Sequence, residues 1–335
     1  MKSLFKTENK TKNLTEGAIS KKLLFFALPL TIGSVLQQFY NIADTLIVGR
    51  YLGENALAAV GSAYTLMIFL TSVISGLCMG SSVFFSVQFG KKAVDKMKQS
   101  FFISFVSILS VTIVLNLAAY ALLNGIISFM RIPEEVRLLF KQYLNIIFAG
   151  LFAVFLYNFF ANLLRAVGNS VIPLLFLALS SVVNVILDLL FILYFHTGAQ
   201  GAAVATVIAQ YLSGIGIMLY YFLRCRSLRV ERIHMKWSRS VFREIFGLSA
   251  MTCIQQSIMN LGILMVQGLV NSFGVAVMAA FAAGVKIDTL AYSPVQDFGN
   301  AFSTFIAQNY GAGKKERIHA GIKSAGLMVA IFCVF

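Results

Sequence analysis

Residues 23–53 read LLFFALPLTIGSVLQQFYNIADTLIVGRYLG, and two features of this stretch decide the fold. The run from Leu23 to Ala43 has the roughly 20 apolar residues that a helix needs to cross a bilayer. Asp44 then places a carboxylate before the apolar run resumes. The rest of the chain has the same character. Of its 335 residues, 59% are hydrophobic and only 12% are charged, and the mean hydropathy is +0.82. Soluble domains are nearer one quarter charged. Lipid is therefore the main solvent, and the backbone must satisfy its own polar groups as helices.

Nine apolar segments follow one another, at roughly 23–48, 56–87, 100–123, 140–164, 171–195, 201–223, 244–270, 277–308 and 319–335. The net charge of +14 is spread over the short connections, with no base-reading motif, so a nucleic-acid partner is not expected. Alternate connections hold twenty-two lysines and arginines on one side and four on the other. The positive-inside bias then predicts a cytoplasmic N-terminus. The basic N-terminus has no short apolar core with a cleavage site, so no removed leader is read. Cys78, Cys225, Cys253 and Cys333 form no CxxC pair and are read as small apolar side chains.

Sliding the sequence by 221 positions aligns Thr31 with Thr252, Ile42 with Ile263, Gly53 with Gly274, and Ala58-Ala59 with Ala279-Ala280. Ser82, Phe84 and Gly90 likewise meet Ser303, Phe305 and Gly311. Six spans separate the copies, so both point the same way. Parallel repeats about an axis along the membrane normal are a transporter architecture. The expected layout is a tail at 1–22, a six-helix lobe at 23–223, a basic linker at 224–243, and about three helices of a second lobe at 244–335. A full second unit of such a repeat protein would run to about residue 440, so the chain reads as a truncated or partial sequence.

Four acids sit within spans: Asp44, Asp188, Asp288 and Asp297. Intramembrane acids need a partner, a wet cavity or a proton, and they mark function. At about 1.5 Å per residue, Asp44, Asp188 and Thr206 lie some 8–12 Å below the outer surface. Ser181, Asn184 and Asp188 share one face of span five, which must point into the bundle. Two carboxylates with Asn and Thr oxygens suit either a proton or a hard cation such as Na+, and both are coupling-ion roles. Tyr143, Asn158 and Asn162 are read as cavity-lining from span four, with Gln37 and Asn41 from span one. Lys286, Asp288 and Asp297 form a possible second polar site. Pro29 is a hinge candidate. Arg165, at the basic end of span four, is expected to snorkel.

The stretches LPLTIGSVLQQFYNIADTLIVGRYLG, LAAVG, LLRAVGNSVIP, NVILDLLF and TFIAQNYGAGKKER together resemble the multidrug and toxic compound extrusion (MATE) transporters. The resemblance covers nearly the whole chain. It implies two six-helix lobes around a central cavity, and export of cationic or amphipathic compounds in exchange for H+ or Na+. Asp44 matches the family's first-helix acid, Asn184 and Asp188 its N-x-x-x-D on helix five, and Thr206 its helix-six hydroxyl. The pattern is similar to the DinF-like branch, because span seven holds no acid beyond Glu244. A monomer in the bacterial inner or plasma membrane is implied, with no cofactor besides the coupling ion. One alternative is a lipid-linked oligosaccharide flippase, which would favour a basic cavity. Another is a non-functional fragment of such a transporter. No HExxH, GxSxG or paired-His motif supports an enzyme.

Overall fold

The computed structural model describes residues 13–334, the side chains of Lys286, Ala291 and 331–334 excepted. The described residues form eleven α-helices: α1 Ile19–Leu52, α2 Glu54–Gly90, α3 Val94–Ala121, α4 Leu123–Phe129, α5 Glu134–Ile147, α6 Leu151–Ala166, α7 Val171–Leu189, α8 Gly198–Arg224, α9 Arg239–Val270, α10 Val275–Gly311 and α11 Lys315–Val334. A 3-10 turn at Phe148–Gly150 joins α5 and α6 into one continuous span, and a π turn at Leu190–Tyr194 extends α7.

Among the described residues, eight helices are long and apolar enough to cross a membrane. The expected ninth segment does form a helix, but the first half of α11 carries Lys315, Glu316, Arg317 and Lys323, and it is not among the eight. The helix faces confirm the solvent. On α7, Leu175, Leu179, Val182 and Ile186 are exposed, while Ser181, Asn184 and Asp188 are buried on the other face. A water-soluble helix would show the reverse.

The 221-residue repeat is visible in the backbone. Helix α2 begins at Glu54 and ends at Gly90; α10 begins at Val275 and ends at Gly311, each 221 further on. Helix α11 starts at Lys315, the counterpart of Val94 at the start of α3. Each copy turns between its first two spans on a glycine with positive φ, Gly53 at 84° and Gly274 at 95°. Only glycine adopts that conformation, with ψ near 180°, without strain. Lys92 at φ 60° and Gly313 at φ 71° repeat the turn after the long helix.

Close helix contacts are made by small residues, because lipid supplies no hydrophobic drive for one helix to bury another. A Cβ on Gly76 would press on the Cys253 backbone, and one on Gly80 on the Ser249 backbone, so α9 packs directly along α2. Helix α10 packs on both α1 and α2. Inside the first six spans, Phe85, Phe101, Phe105, Phe155, Phe159, Phe160 and Tyr221 form one continuous aromatic cluster toward the basic ends of their helices. Pro29 lies within an unbroken α1, and Pro294 within α10.

Candidate functional site

Between the first six spans and α9–α10 lies a cavity of about 1590 Å3. That is more than the 300–1,000 Å3 common for small-molecule pockets. Its wall carries polar groups from both sides. Gln37, Asn41 and Asp44 come from α1, Tyr143 from α5, and Asn158 and Asn162 from α6. Asn184 comes from α7, Thr206 from α8, and Asp288 and Asp297 from α10. All but two of the residues expected at a site therefore face one space. Asp188 is fully buried behind the wall, and the Lys286 side chain lies outside the described residues.

Asn184 connects Asp188 to the cavity. With its amide oriented so that both ends find partners, its nitrogen donates to Asp188 Oδ2 at 3.2 Å and its oxygen accepts from the Thr206 backbone N–H at 3.2 Å. The amide also lies 3.4 Å from Thr206 Oγ1. The N-x-x-x-D spacing produces this. Residues four apart stack on one face of α7, and the small residues Gly201, Ala202 and Ala205 let α8 approach closely enough to reach both. Asp44 is 8% exposed. It shares electrostatic surroundings with Asp188, since Tyr40 and Tyr143 each interact with both carboxylates. Asn184, Asp188 and Thr206 are thus joined across α7 and α8, and Asp44 of α1 is buried on the same cavity, with Tyr40 and Tyr143 in electrostatic range of both carboxylates.

Tyr40 and Tyr64 were not legible as site residues. An aromatic within an apolar span reads as interior filler, and only the side-chain hydrogen bond between Tyr40 and Gln37 sets it apart. A polar chain also crosses to the second copy: Asn41 Nδ2 donates to Gln38 Oε1 at 3.2 Å, and Gln38 Nε2 to Ser293 Oγ of α10 at 3.4 Å. Asn158 and Asn162 donate their amide hydrogens to their own helix, at Val154 O and Asn158 O.

Arg165 departs from expectation. It does not snorkel to the interface but lines the cavity, with Nε buried and within electrostatic range of Asp297 on α10. Position alone could not reveal this, because an arginine one residue from a helix end reaches outward or inward equally well. Among the described residues, no group of three or more His, Cys, Asp or Glu side chains could hold a metal ion.

A multi-pass helical protein built from parallel repeats around a polar cavity is a membrane transporter in class. The MatE family model matches residues 29–190 and 248–335 of the chain. The chain is 31% identical over 313 residues to the probable multidrug resistance protein YpnP of Bacillus subtilis, covering 92% of this chain and 69% of that protein. It is 26% identical over 342 residues to the probable multidrug resistance protein NorM of Thermotoga maritima, covering 99% and 72%. A solved multidrug resistance MATE family transporter of the MOP superfamily, in its outward-facing conformation, superposes with a TM-score of 0.83 at 22% identity, covering 93% of this chain and 69% of that one; this likeness speaks to the fold. The chain belongs to the MatE family.

Proposed function

We propose that the chain is a secondary antiporter of the cell membrane, with the basic connections in the cytoplasm, that exports organic cations in exchange for H+ or Na+. The observation that carries this reading is the two buried carboxylates, Asp44 on the cavity wall and Asp188 behind it, the latter joined to the cavity through Asn184. Two carboxylates in a low-dielectric cluster favour taking up a positive charge. Either a proton binds one of them, or both carboxylates and the Asn and Thr oxygens coordinate Na+. Each event raises the charge of the cluster by one.

That charge does work only if the two conformations of the transporter bind the ion with different affinity. A coupling of about 1–3 kcal/mol is the usual scale for such linked sites. The cavity holds described acids at Asp44, Asp288 and Asp297 against the base Arg165, which supports a cationic cargo. Cargo and ion then use one protein alternately, and export runs on the ion gradient.

The test is dye efflux from vesicles with an imposed proton or sodium gradient. Asp44→Asn and Asp188→Asn should each reach the membrane at normal levels, since each removes a costly buried charge. Driven efflux should fall close to background in both. The double substitution should be little worse than either single one, because the two acids act as a unit. Efflux that follows the sodium gradient alone assigns Na+, and efflux that follows the proton gradient alone assigns H+. Near-normal driven efflux by Asp44→Asn at matched protein level would overturn the reading.

A further inference from the structure

The cavity contains a second charged pair, at a different level from the first. Asp297 of α10 receives a side-chain hydrogen bond from Ser34 of α1 and faces Arg165 of α6 electrostatically, with Tyr157 of α6 within range of both charges. The two charged groups come from opposite sides of the cavity. They are not in ion-pair contact, because the ion pairs among the described residues join other side chains. Each keeps an unsatisfied buried atom, Oδ2 of Asp297 and Nε of Arg165, with no hydrogen-bond partner among the described residues. A carboxylate and a guanidinium that face each other across a gap, each short of a partner, leave space for a third group.

We propose that Asp297 and Ser34 form the subsite that holds the organic cation, and that Arg165 is a tethered competitor for it. This rests on the reading of the cavity as a path for organic cations. A guanidinium stays charged in any protein environment, so Arg165 balances Asp297 when the cavity holds no cargo. A cation that reaches Asp297 takes over that balance, and Arg165 sets the affinity it must exceed.

Three features separate this subsite from the coupling cluster. Ser34 and Asp44 are ten residues apart on α1, which places the two levels about 15 Å apart. Two occupants can therefore be bound together without contact. The subsite offers one carboxylate and one hydroxyl, too few oxygens to replace the shell of a hard ion, which takes six or more. The Tyr157 ring lies on the same cavity within electrostatic range of Asp297, and an aromatic face beside a carboxylate suits a cation with delocalised charge.

The experiment is equilibrium binding of tetraphenylphosphonium to the purified chain in lipid nanodiscs, with thermal unfolding run alongside to confirm folding. Asp297→Asn should weaken binding about tenfold or more, which corresponds to about 1.4 kcal/mol. Arg165→Gln should tighten it about threefold or more, and Arg165→Lys should stay close to wild type. The gain on Arg165→Gln is a readout that a purely structural arginine does not give. If the wild-type chain binds and Asp297→Asn binds equally, or if Arg165→Gln weakens binding, the subsite is overturned and the coupling reading stands. If the wild-type chain does not bind the probe, the organic-cation reading falls and takes this inference with it.

Discussion

Gly61 of α2 and Ala282 of α10 touch each other, and they are the same position of the repeat, 221 residues apart. Equivalent positions in mutual contact must lie beside the axis that relates the two copies. On the basic side the relation returns as a reciprocal pair. Gly90 backs onto the Gln308 carbonyl and Gly311 onto the Val87 carbonyl, and Val87 and Gln308 are themselves 221 apart. Helices α2 and α10 are thus pinned together at both ends, and their middle stretches, from Tyr64 to Val83 and from Phe281 to Thr304, line the cavity.

This predicts a specific response to adding one methyl. Gly61→Ala would force its Cβ into that of Ala282, a contact with no flexible end to give way. Overpacking of this kind costs about 1–3 kcal/mol. The melting temperature in detergent should fall. The swapped pair Gly61→Ala with Ala282→Gly should recover most of the loss, because it moves one methyl across the axis without adding volume. A double variant as unstable as Gly61→Ala alone would show that the contact does not lie where the repeat places it.

Much of this was legible in the chain because lipid simplifies the code. Span lengths and basic connections need only a count, and the repeat offset of 221 read from residues such as Gly53 and Gly274 is the offset between the helix boundaries. Counting 1.5 Å per residue placed Asp44, Asp188 and Thr206 at one level, and Asn184 does bridge two of these helices. What did not read out depends on neighbours distant in sequence. Asp188 looks like a cavity residue by period alone, yet Asn184 stands between it and the cavity. Tyr40 and Arg165 acquire their roles only when α1 is set against α7 and α6 against α10.

The bridge itself makes the second prediction. Asn184→Leu would remove from the buried Asp188 the amide that donates to its Oδ2, while the Thr206 backbone N–H keeps its place in the α8 ladder. Losing a hydrogen bond to a charged group costs about 1.5–3 kcal/mol. Thr206→Val leaves that amide in place and should cost less. Thermal unfolding of the two variants should therefore rank Asn184→Leu below Thr206→Val, and driven efflux should drop in both. The reverse ranking would mean that Asn184 is held by its contact with Thr206 Oγ1 and not by the bridge to Asp188.

A polar network away from the basic side sets a limit on how firmly the two copies are joined there. Gln267 Nε2 donates to Asn271 Oδ1 at 2.7 Å and to Ser62 Oγ at 3.1 Å, Thr65 Oγ1 donates to Gln267 Oε1 at 3.0 Å, and Asn271 Nδ2 donates to Met130 O at 2.8 Å. Ser62 and Gln267 are fully buried, and Asn271 is 1% exposed. Hydrogen bonds between membrane helices average only about 0.6 kcal/mol in double-mutant cycles, with a maximum near 1.7. A Thr65→Ala and Gln267→Leu cycle, followed by thermal unfolding, should therefore give a coupling of about 1 kcal/mol. That is weak enough for the contact to break and re-form during transport. A coupling several times larger would make this interface a fixed joint, and alternation would have to occur elsewhere.

Arg317, in the first turn of α11, ties the start of the described chain to the second copy. Its Nη1 donates to Gly17 O at 2.7 Å, while Nη2 and Nε share Leu14 O at 3.2 and 3.3 Å. The guanidinium also lies 5.7 Å from the centre of the Phe305 ring. Around it, Lys314 Nζ donates to Thr15 O at 2.9 Å, and Gln308 takes the Leu14 N–H on Oε1 at 3.2 Å while giving its own amide hydrogen to Ala166 O at 2.8 Å. Leu14 is only 2% exposed as a result. The staple joins the segment before α1, the end of α6 and the turn between α10 and α11, so the basic side cannot open without undoing it. Arg317→Ala should therefore loosen this corner locally, with a small effect on global melting, since local openings sample free energies well below that of unfolding. Amide exchange at residues 14–22 should speed up by about tenfold, which corresponds to about 1.4 kcal/mol. Arg317→Lys should fall between the two, because a single ammonium lacks the fork that reaches two carbonyls. Cross-linking reagents applied from the basic side should reach the cavity residue Asn162, replaced by cysteine, faster in the Arg317→Ala background. Unchanged exchange at residues 14–22 would mean that the strap is held by burial of Leu14 and not by Arg317. Faster exchange with unchanged reactivity at position 162 would mean that the staple can release without opening the cavity.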